Sequence, residues 1–200
     1  VPAIGITGGI ATGKSTFLWA LLERLPVECF EADRCVHELL ASDQTTQQAI
    51  RDKFGADVLD EKGGVRRARL REIVFDDKKA RSWLEALIHP RVREHWVPLA
   101  RLSRAEKKIR LFDIPLLYET RAETEFDRVL VIACSPEMQR NRLTQNRGLA
   151  PELIARMIGT QLGLPAKAAR ADHVVWNDGS TASLAEQAQL FAAYLRKIYG

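Results

Sequence analysis

Hydrophobic positions along the chain follow two rhythms. Compact apolar runs at residues 3–7, 109–113, 128–134 and 173–176 predict β-strands, and a brief run at 27–30 predicts a fifth. Between them, residues 14–25, 136–146 and 183–199 carry apolar side chains at three- and four-residue spacing, which predicts helices with one apolar face. The second of these opens with Ser135 as N-cap and Pro136 at the first helical position. Strands alternating with longer helical segments predict an α/β fold on a mostly parallel five-stranded sheet, because parallel neighbours need a crossover and a helix supplies it.

Two stretches depart from this alternation. Residues 41–104 hold no good strand, only helical segments interrupted by Asp-Glu-Lys-Gly-Gly at 60–64, and predict a helical insertion. Within it, Pro90 after His89 should kink a helix or begin one. Residues 147–171 are helical and basic, with Arg147, Arg156, Lys167 and Arg170 around a Gly-Leu-Pro-Ala-Lys break at 163–167, and read as a lid. The rest, about 1–40, 105–146 and 172–200, forms one core domain. Trp83, Trp96 and Trp176 are expected in core or partly buried positions, and Trp19 falls inside the first helix.

Two hundred residues with 46% hydrophobic content suffice for one compact core with insertions over it. Net charge is +4, but the 30 basic and 26 acidic residues are mixed along the chain, which argues against a nucleic-acid partner and leaves small polyanions as substrates. Three cysteines, Cys29, Cys35 and Cys134, show neither Cys-x-x-Cys nor zinc spacing and read as reduced thiols. A strand pattern begins at once, without a basic and apolar leader, and no apolar run approaches a membrane span. Together these predict a cytoplasmic protein without a membrane partner, expected as a monomer. With Val at position 1, the initiator methionine is expected to have been removed or to lie outside this chain.

Candidate chemistry changes the picture most at residues 5–16, Gly-Ile-Thr-Gly-Gly-Ile-Ala-Thr-Gly-Lys-Ser-Thr. Gly8, Gly13, Lys14 and Ser15 satisfy G-x-x-x-x-G-K-[ST], a match expected by accident on the order of one time in a hundred chains of this length. The motif follows a strand and opens a helix, as a P-loop requires. Gly8, Gly9 and Gly13 allow close backbone approach, so that N–H groups from Gly8 through Ile10, Ala11, Thr12 and Gly13 to Thr16 can line an anion-binding concavity at a helix N-terminus. Lys14 then reaches the β- and γ-phosphates, Ser15 offers its hydroxyl to Mg²⁺, and Thr16 lines the α-phosphate side. The fold class is therefore read as a P-loop NTPase, a three-layer α/β/α sandwich. Asn177-Asp-Gly-Ser180 is not the base-reading Asn-Lys-x-Asp of GTPases, and no transport-ATPase signature occurs. A small-molecule kinase remains.

Ligands of an open parallel sheet sit at the carboxyl ends of the strands. Asp33, just past the 27–30 run, could orient or deprotonate an acceptor hydroxyl, or could cap the following helix. Asp113 ends its apolar run at a position from which a carboxylate holds Mg²⁺ through water, or simply turns the chain. Arg142 and Arg147 could stabilise charge on the transferring phosphoryl group. His37, His89 and His95 show no metal-ligand spacing. A nucleoside or nucleotide kinase, or a regulatory protein that uses ATP as a signal, fits these residues as well.

The motifs in order resemble the dephospho-CoA kinases along nearly the whole chain. They are the P-loop, Glu31-Ala-Asp-Arg-Cys-Val-His-Glu-Leu-Leu40, the Arg67 segment 66–75, Leu84–Val92 around His89, Phe112-Asp-Ile-Pro-Leu-Leu-Tyr-Glu119, the 135–143 segment with Gln139 and Arg142, and residues 161–180. The resemblance implies a P-loop core, a helical CoA-binding insertion and a lid. It also implies transfer of the γ-phosphate of ATP, with Mg²⁺, to the ribose 3′-hydroxyl of dephospho-CoA. Asp33 then falls on the catalytic carboxylate. His37, Arg67, His89, Pro115, Leu116, Leu117 and Glu119 fall on the acceptor side, and Asn177 and Gly179 near the adenine. Two positions depart from the family pattern: Glu31 replaces an aspartate, and Asn146-Arg147-Gly-Leu stands where Arg-Asp-Gly-Leu is usual, which makes Arg142 the better phosphoryl-facing arginine.

Overall fold

The computed structural model describes residues 2–199, without the side chains of Asp76, Asn146 and Arg147. The arginine at the lid entrance, Arg147, therefore lies outside the described side chains. Two compact units make up the chain, Val1–Phe30 with Leu99–Gly200, and Glu31–Pro98.

The first unit is built on strands β1 (Ala3–Gly8), β2 (Glu28–Glu31), β3 (Arg110–Asp113), β4 (Arg128–Ala133) and β5 (His173–Trp176), in the order β2-β3-β1-β4-β5. β1 pairs in parallel with β3 and β4, and β4 in parallel with β5. The five expected strands are all present, each within one or two residues of its predicted bounds. Every residue of β1 is buried, which is why its sequence does not alternate; its one polar side chain, Thr7, donates to the Pro115 carbonyl at 2.9 Å. Gly5 in its centre has no room for a side chain: a Cβ there would lie 2.7 Å from both Leu117 and Phe126.

Helices α1 (Lys14–Arg24) and α9 (Thr181–Tyr199) pack on the sheet and on each other through Phe17, Leu18 and Leu21 against Leu184, Ala188, Phe191 and Leu195. Helix α6 (Pro136–Arg147) starts as the sequence requires: the Ser135 hydroxyl accepts from the Met138 N–H at 3.1 Å, and Pro136 occupies the first turn. It ends at Gly148 in the left-handed conformation, φ 60°. Helices α7 (Pro151–Gly159) and α8 (Leu164–Arg170) follow. Trp176 corrects an expectation: as the last residue of edge strand β5 it is 51% exposed, its indole N–H donating to Asp178 at 2.9 Å.

The second unit holds α2 (Ala32–Ser42), α3 (Gln44–Phe54), a 3₁₀ turn at Ala56–Val58, α4 (Arg67–Asp76) and most of α5 (Lys78–Glu106). Its Asp60–Gly64 segment is a turn closed by Asp60, whose carboxylate accepts from the N–H groups of Lys62 and Gly64 at 2.8 and 2.9 Å. Trp83 packs edge-on to Phe54, and Trp96 is buried. Pro90 neither begins nor ends a helix. α5 runs through both Pro90 and Pro98, and the Arg91 guanidinium donates to the Leu87 carbonyl at 2.8 Å beside the first missing N–H.

Asp43 caps α3 by accepting from the Thr46 N–H at 2.7 Å, and hydrogen bonding to Thr46, through its side chain first and its backbone second, lowers the carboxyl pKa. Asp43→Ala is expected to cost about 1 kcal/mol of stability, measured by urea unfolding at neutral pH. Because the folded pKa is depressed, the contribution is present above the unfolded aspartate pKa and disappears as pH falls through the folded one. The two proteins should therefore converge in acid, and a difference that stays constant from neutral to strongly acid pH would contradict the cap.

Candidate active site

Gly13 precedes α1 in the left-handed region at φ 89°, and no side chain caps the helix. The first N–H groups of α1, at Lys14, Ser15 and Thr16, are therefore offered to an outside anion at the positive end of the helix dipole. Ser15 and Thr16 are exposed there, and Lys14 is half-buried.

The loop that leads to Gly13 is held from outside. Five successive carbonyls accept from side chains: Gly8 from Lys167 Nζ at 3.0 Å, Gly9 from Thr12 Oγ1 at 2.9 Å, and Ile10 from Gln139 Nε2 at 2.7 Å. Ala11 and Thr12 accept from Arg142 at 3.4 and 3.3 Å, and Thr12 also from Asn177 Nδ2 at 2.8 Å. Carbonyls satisfied on the outer side leave the remaining N–H groups of the loop for the inner one, apart from Ile10, whose N–H donates to Gln161, and Thr12, whose N–H donates to the Gly9 carbonyl at 3.4 Å. Ala11 takes φ 59°, a cost carried by a residue with a Cβ and offset by these bonds.

Asn177 follows β5 directly, is buried, and packs so closely on Gly13 that a Cβ there would stand 2.2 Å from its amide nitrogen. Gly13→Ala combines that collision with an unfavourable φ, and is expected to destabilise the fold by about 1–3 kcal/mol. An unchanged urea midpoint would show that the loop adapts at no cost.

Register places the acid of the site. Ile6 pairs with Asp113, so the carboxylate emerges at the carboxyl end of β3 beside the P-loop. Lys14 Nζ donates to both Asp113 oxygens, at 2.6 Å to Oδ2, and the two side chains are only 13% and 11% exposed. Sequence reasoning offered Asp113 as a carboxylate holding metal through water or as a strand-end turn residue; the structure adds a direct partner, the P-loop lysine.

Three other expected site residues are engaged by partners of their own or buried. Arg142, expected to face the transferring phosphoryl group, has its guanidinium committed to the Ala11, Thr12 and Asn177 carbonyls, the last at 2.9 Å. Leu117, expected to touch an acceptor, is fully buried in the core. Glu119 accepts from Lys167 Nζ at 3.0 Å and from the Leu162 N–H at 2.8 Å, so it braces the segment after α7. Pro115 and Leu116 are half-buried, and Gly179 is exposed in the loop after β5. That loop is tied to α6 through Asp178, which accepts from the Ser135 N–H at 2.7 Å and whose pKa is lowered chiefly by that bond.

In the second unit Asp33 is exposed in the first turn of α2, whose N-cap is Glu31. The alternative reading of Asp33 as a cap therefore fails. His37 is exposed one turn further along α2, His89 is half-buried on α5, and Arg67 is exposed as the first residue of α4.

Sequence reasoning missed Lys167 and Gln161. Lys167 looked like one basic residue among four on a solvated flap, yet it is fully buried. Burial pushes its ammonium pKa down, and the neighbouring Glu119 opposes that shift. Gln161 Oε1 accepts from the Ile10 N–H at 3.1 Å, and nothing in one sequence marks that contact.

Comparisons with known proteins bear on the family and the fold. The family model for dephospho-CoA kinase matches residues 2–183. A dephospho-CoA kinase from Methylococcus capsulatus is 38% identical over 90% of this chain and 90% of its own, and one from Listeria innocua is 34% identical over 94% of each. Among solved structures, dephospho-CoA kinase from Campylobacter jejuni superposes with a TM-score of 0.69 at 26% identity, covering 96% of each chain.

Proposed function

The chain belongs to the dephospho-CoA kinase family, and we propose that it transfers the γ-phosphate of ATP to the ribose 3′-hydroxyl of dephospho-CoA, giving CoA and ADP. The observation that carries this reading is the phosphate cradle: an uncapped helix start with Lys14 beside it and five outward carbonyls held by side chains. In that cradle the loop N–H groups and Lys14 bind the β- and γ-phosphates. Magnesium brought with the nucleotide fits the oxygen donors present, the Ser15 hydroxyl and the Asp113 carboxylate, and when bound neutralises charge on the phosphate oxygens.

Asp33 is assigned the acceptor hydroxyl, which it orients and whose proton it takes as the phosphoryl group transfers. Its exposure in the first turn of α2, free of a capping task, supports that role. His37, Arg67 and His89 are assigned to the rest of the acceptor, with Pro115 and Leu116. Arg67 supports an anionic acceptor, since it is an exposed cation on the first turn of α4, where a positive charge opposes the helix dipole. Arg142 and Asn177 shape the loop beneath the nucleotide rather than touch the reacting phosphate. Residues 147–171 are proposed as the lid and the helical unit as the acceptor-binding insertion. No helix among the described residues is long and apolar enough to cross a membrane, in keeping with a cytoplasmic enzyme acting on small molecules.

ADP release from Mg·ATP with and without dephospho-CoA tests this directly, with the product identified by mass and by its 3′ position. Dephospho-CoA should stimulate ADP release in step with CoA formation, and AMP and adenosine should not. Stimulation by AMP or adenosine instead would replace this reading with a nucleotide or nucleoside kinase.

A further inference from the structure

Two of the groups that hold the phosphate loop come from the segment that follows α7, not from the core strands and helices. Gln161 takes the Ile10 N–H at 3.1 Å, and Lys167 donates to the Gly8 carbonyl at 3.0 Å. Between them Leu164 covers Gly9, where an added Cβ would stand 3.2 Å from its side chain. Three successive loop residues thus rest on one ten-residue stretch. The same ammonium donates to the Pro115 carbonyl at 3.2 Å and to Glu119 at 3.0 Å, and Glu119 accepts again from the Leu162 N–H.

A core site that needed only volume would be filled with less desolvation by Leu or Met, because an ammonium taken out of water is costly unless fully paired. Lys167 has no exposed surface, and it serves three acceptors: the Gly8 carbonyl, the Pro115 carbonyl, which also accepts from the Thr7 hydroxyl at 2.9 Å, and Glu119, which also accepts from the Leu162 N–H. Two of them, the Gly8 carbonyl and the chain just past Asp113, flank the Lys14–Asp113 pair. The position is therefore one where a small backbone displacement reaches the phosphate-binding groups.

We infer that Lys167 and Gln161 are positioning residues for nucleotide phosphate: they clamp the Gly8–Ile10 backbone from outside and make residues 161–170 a fixed strut of the cradle. The inference rests on the P-loop holding a nucleotide, whatever the acceptor. It divides the proposed lid: residues 161–170 are a fixed support of the loop, and any closing movement falls to residues 147–160. Neither residue touches the reacting atoms.

Calorimetric titration with Mg·ADP tests it in the full chain, on the native protein, Lys167→Met and Gln161→Ala. Lys167→Met keeps length and removes the charge and donors, and is expected to weaken Mg·ADP about tenfold to a hundredfold. Gln161→Ala, at a half-buried position between helices, is expected to weaken it about threefold to tenfold with its thermal midpoint essentially unchanged. In turnover, both should raise KM for ATP while leaving KM for the acceptor in place, a split that a general loss of stability does not produce. Native-like Mg·ADP affinity in Gln161→Ala overturns the inference, even where Lys167→Met fails to fold. A native chain that binds no Mg·ADP overturns the nucleotide reading as well, so the two failures are told apart by the control.

Discussion

Asp33→Asn is expected to lower kcat by about 10²–10⁴-fold while leaving Mg·ADP affinity close to native. Asparagine keeps the size and one acceptor oxygen of aspartate but cannot take a proton at neutral pH, so the change isolates the proton and the charge. Much of phosphoryl transfer is positioning and electrostatics, and a carboxylate on the acceptor hydroxyl contributes to both by aiming the oxygen and accepting its proton. Little of the loss should pass through folding. Asp33 is exposed, Glu31 and not Asp33 stands at the N-cap of α2, and a single acid in a helix's first turn is worth about 0.3–1 kcal/mol. Steady-state kcat together with a thermal melt separates the two effects. Native-like turnover in a folded variant would remove Asp33 from the mechanism.

The reach of the sequence ends where satisfaction of the backbone begins. Strand and helix placement was readable because burial on one or both faces leaves a period in the sequence, and the Ser135-Pro136 start of α6 because capping chemistry is local. The P-loop was readable from its motif spacing: Gly13 answers to its own left-handed φ, although Gly8 and Gly9 answer to close neighbours, the Ile132 carbonyl and the Gln139 and Leu164 side chains. What was not readable is who holds the loop from outside. Lys167, Gln161, Gln139 and Arg142 are separated from it by roughly 130 to 160 residues in the chain, and each is a polar residue whose partner is a carbonyl or N–H without identity. Buried backbone groups need partners, but any donor of suitable reach will serve, so the pattern leaves no periodic trace. Asp113 shows the middle case. Its placement at a strand end was foreseeable, while its direct pairing with Lys14 depends on the β1–β3 register, which only the structure supplies.

That pairing makes Lys14→Met the other variant with a large expected effect, one greater than the loss of a single phosphate contact. Removing the ammonium takes a cation from the phosphates and also takes the Lys14 contact from the Asp113 carboxylate, which is 11% exposed beside the cradle. With Lys14 gone, the negative charge of Asp113 beside the cradle repels the incoming nucleotide, so kcat/KM for ATP is expected to fall by about 10³-fold or more, the upper end of what one lost donor to a developing anion costs. The repulsive share can be measured separately, because it belongs to Asp113. Adding Asp113→Asn to Lys14→Met should restore part of the metal-free ADP affinity, although the same substitution removes a donor proposed for magnesium. In the native background Asp113→Asn should strengthen ADP binding without magnesium, since the phosphates no longer compete with a carboxylate for Lys14, and weaken the gain that magnesium brings. The four titrations form a double-mutant cycle, with and without the metal. If the metal-free effects of the two substitutions simply add, the Lys14–Asp113 contact has no part in nucleotide binding, and Lys14 acts on the phosphates independently of the acid that holds it here.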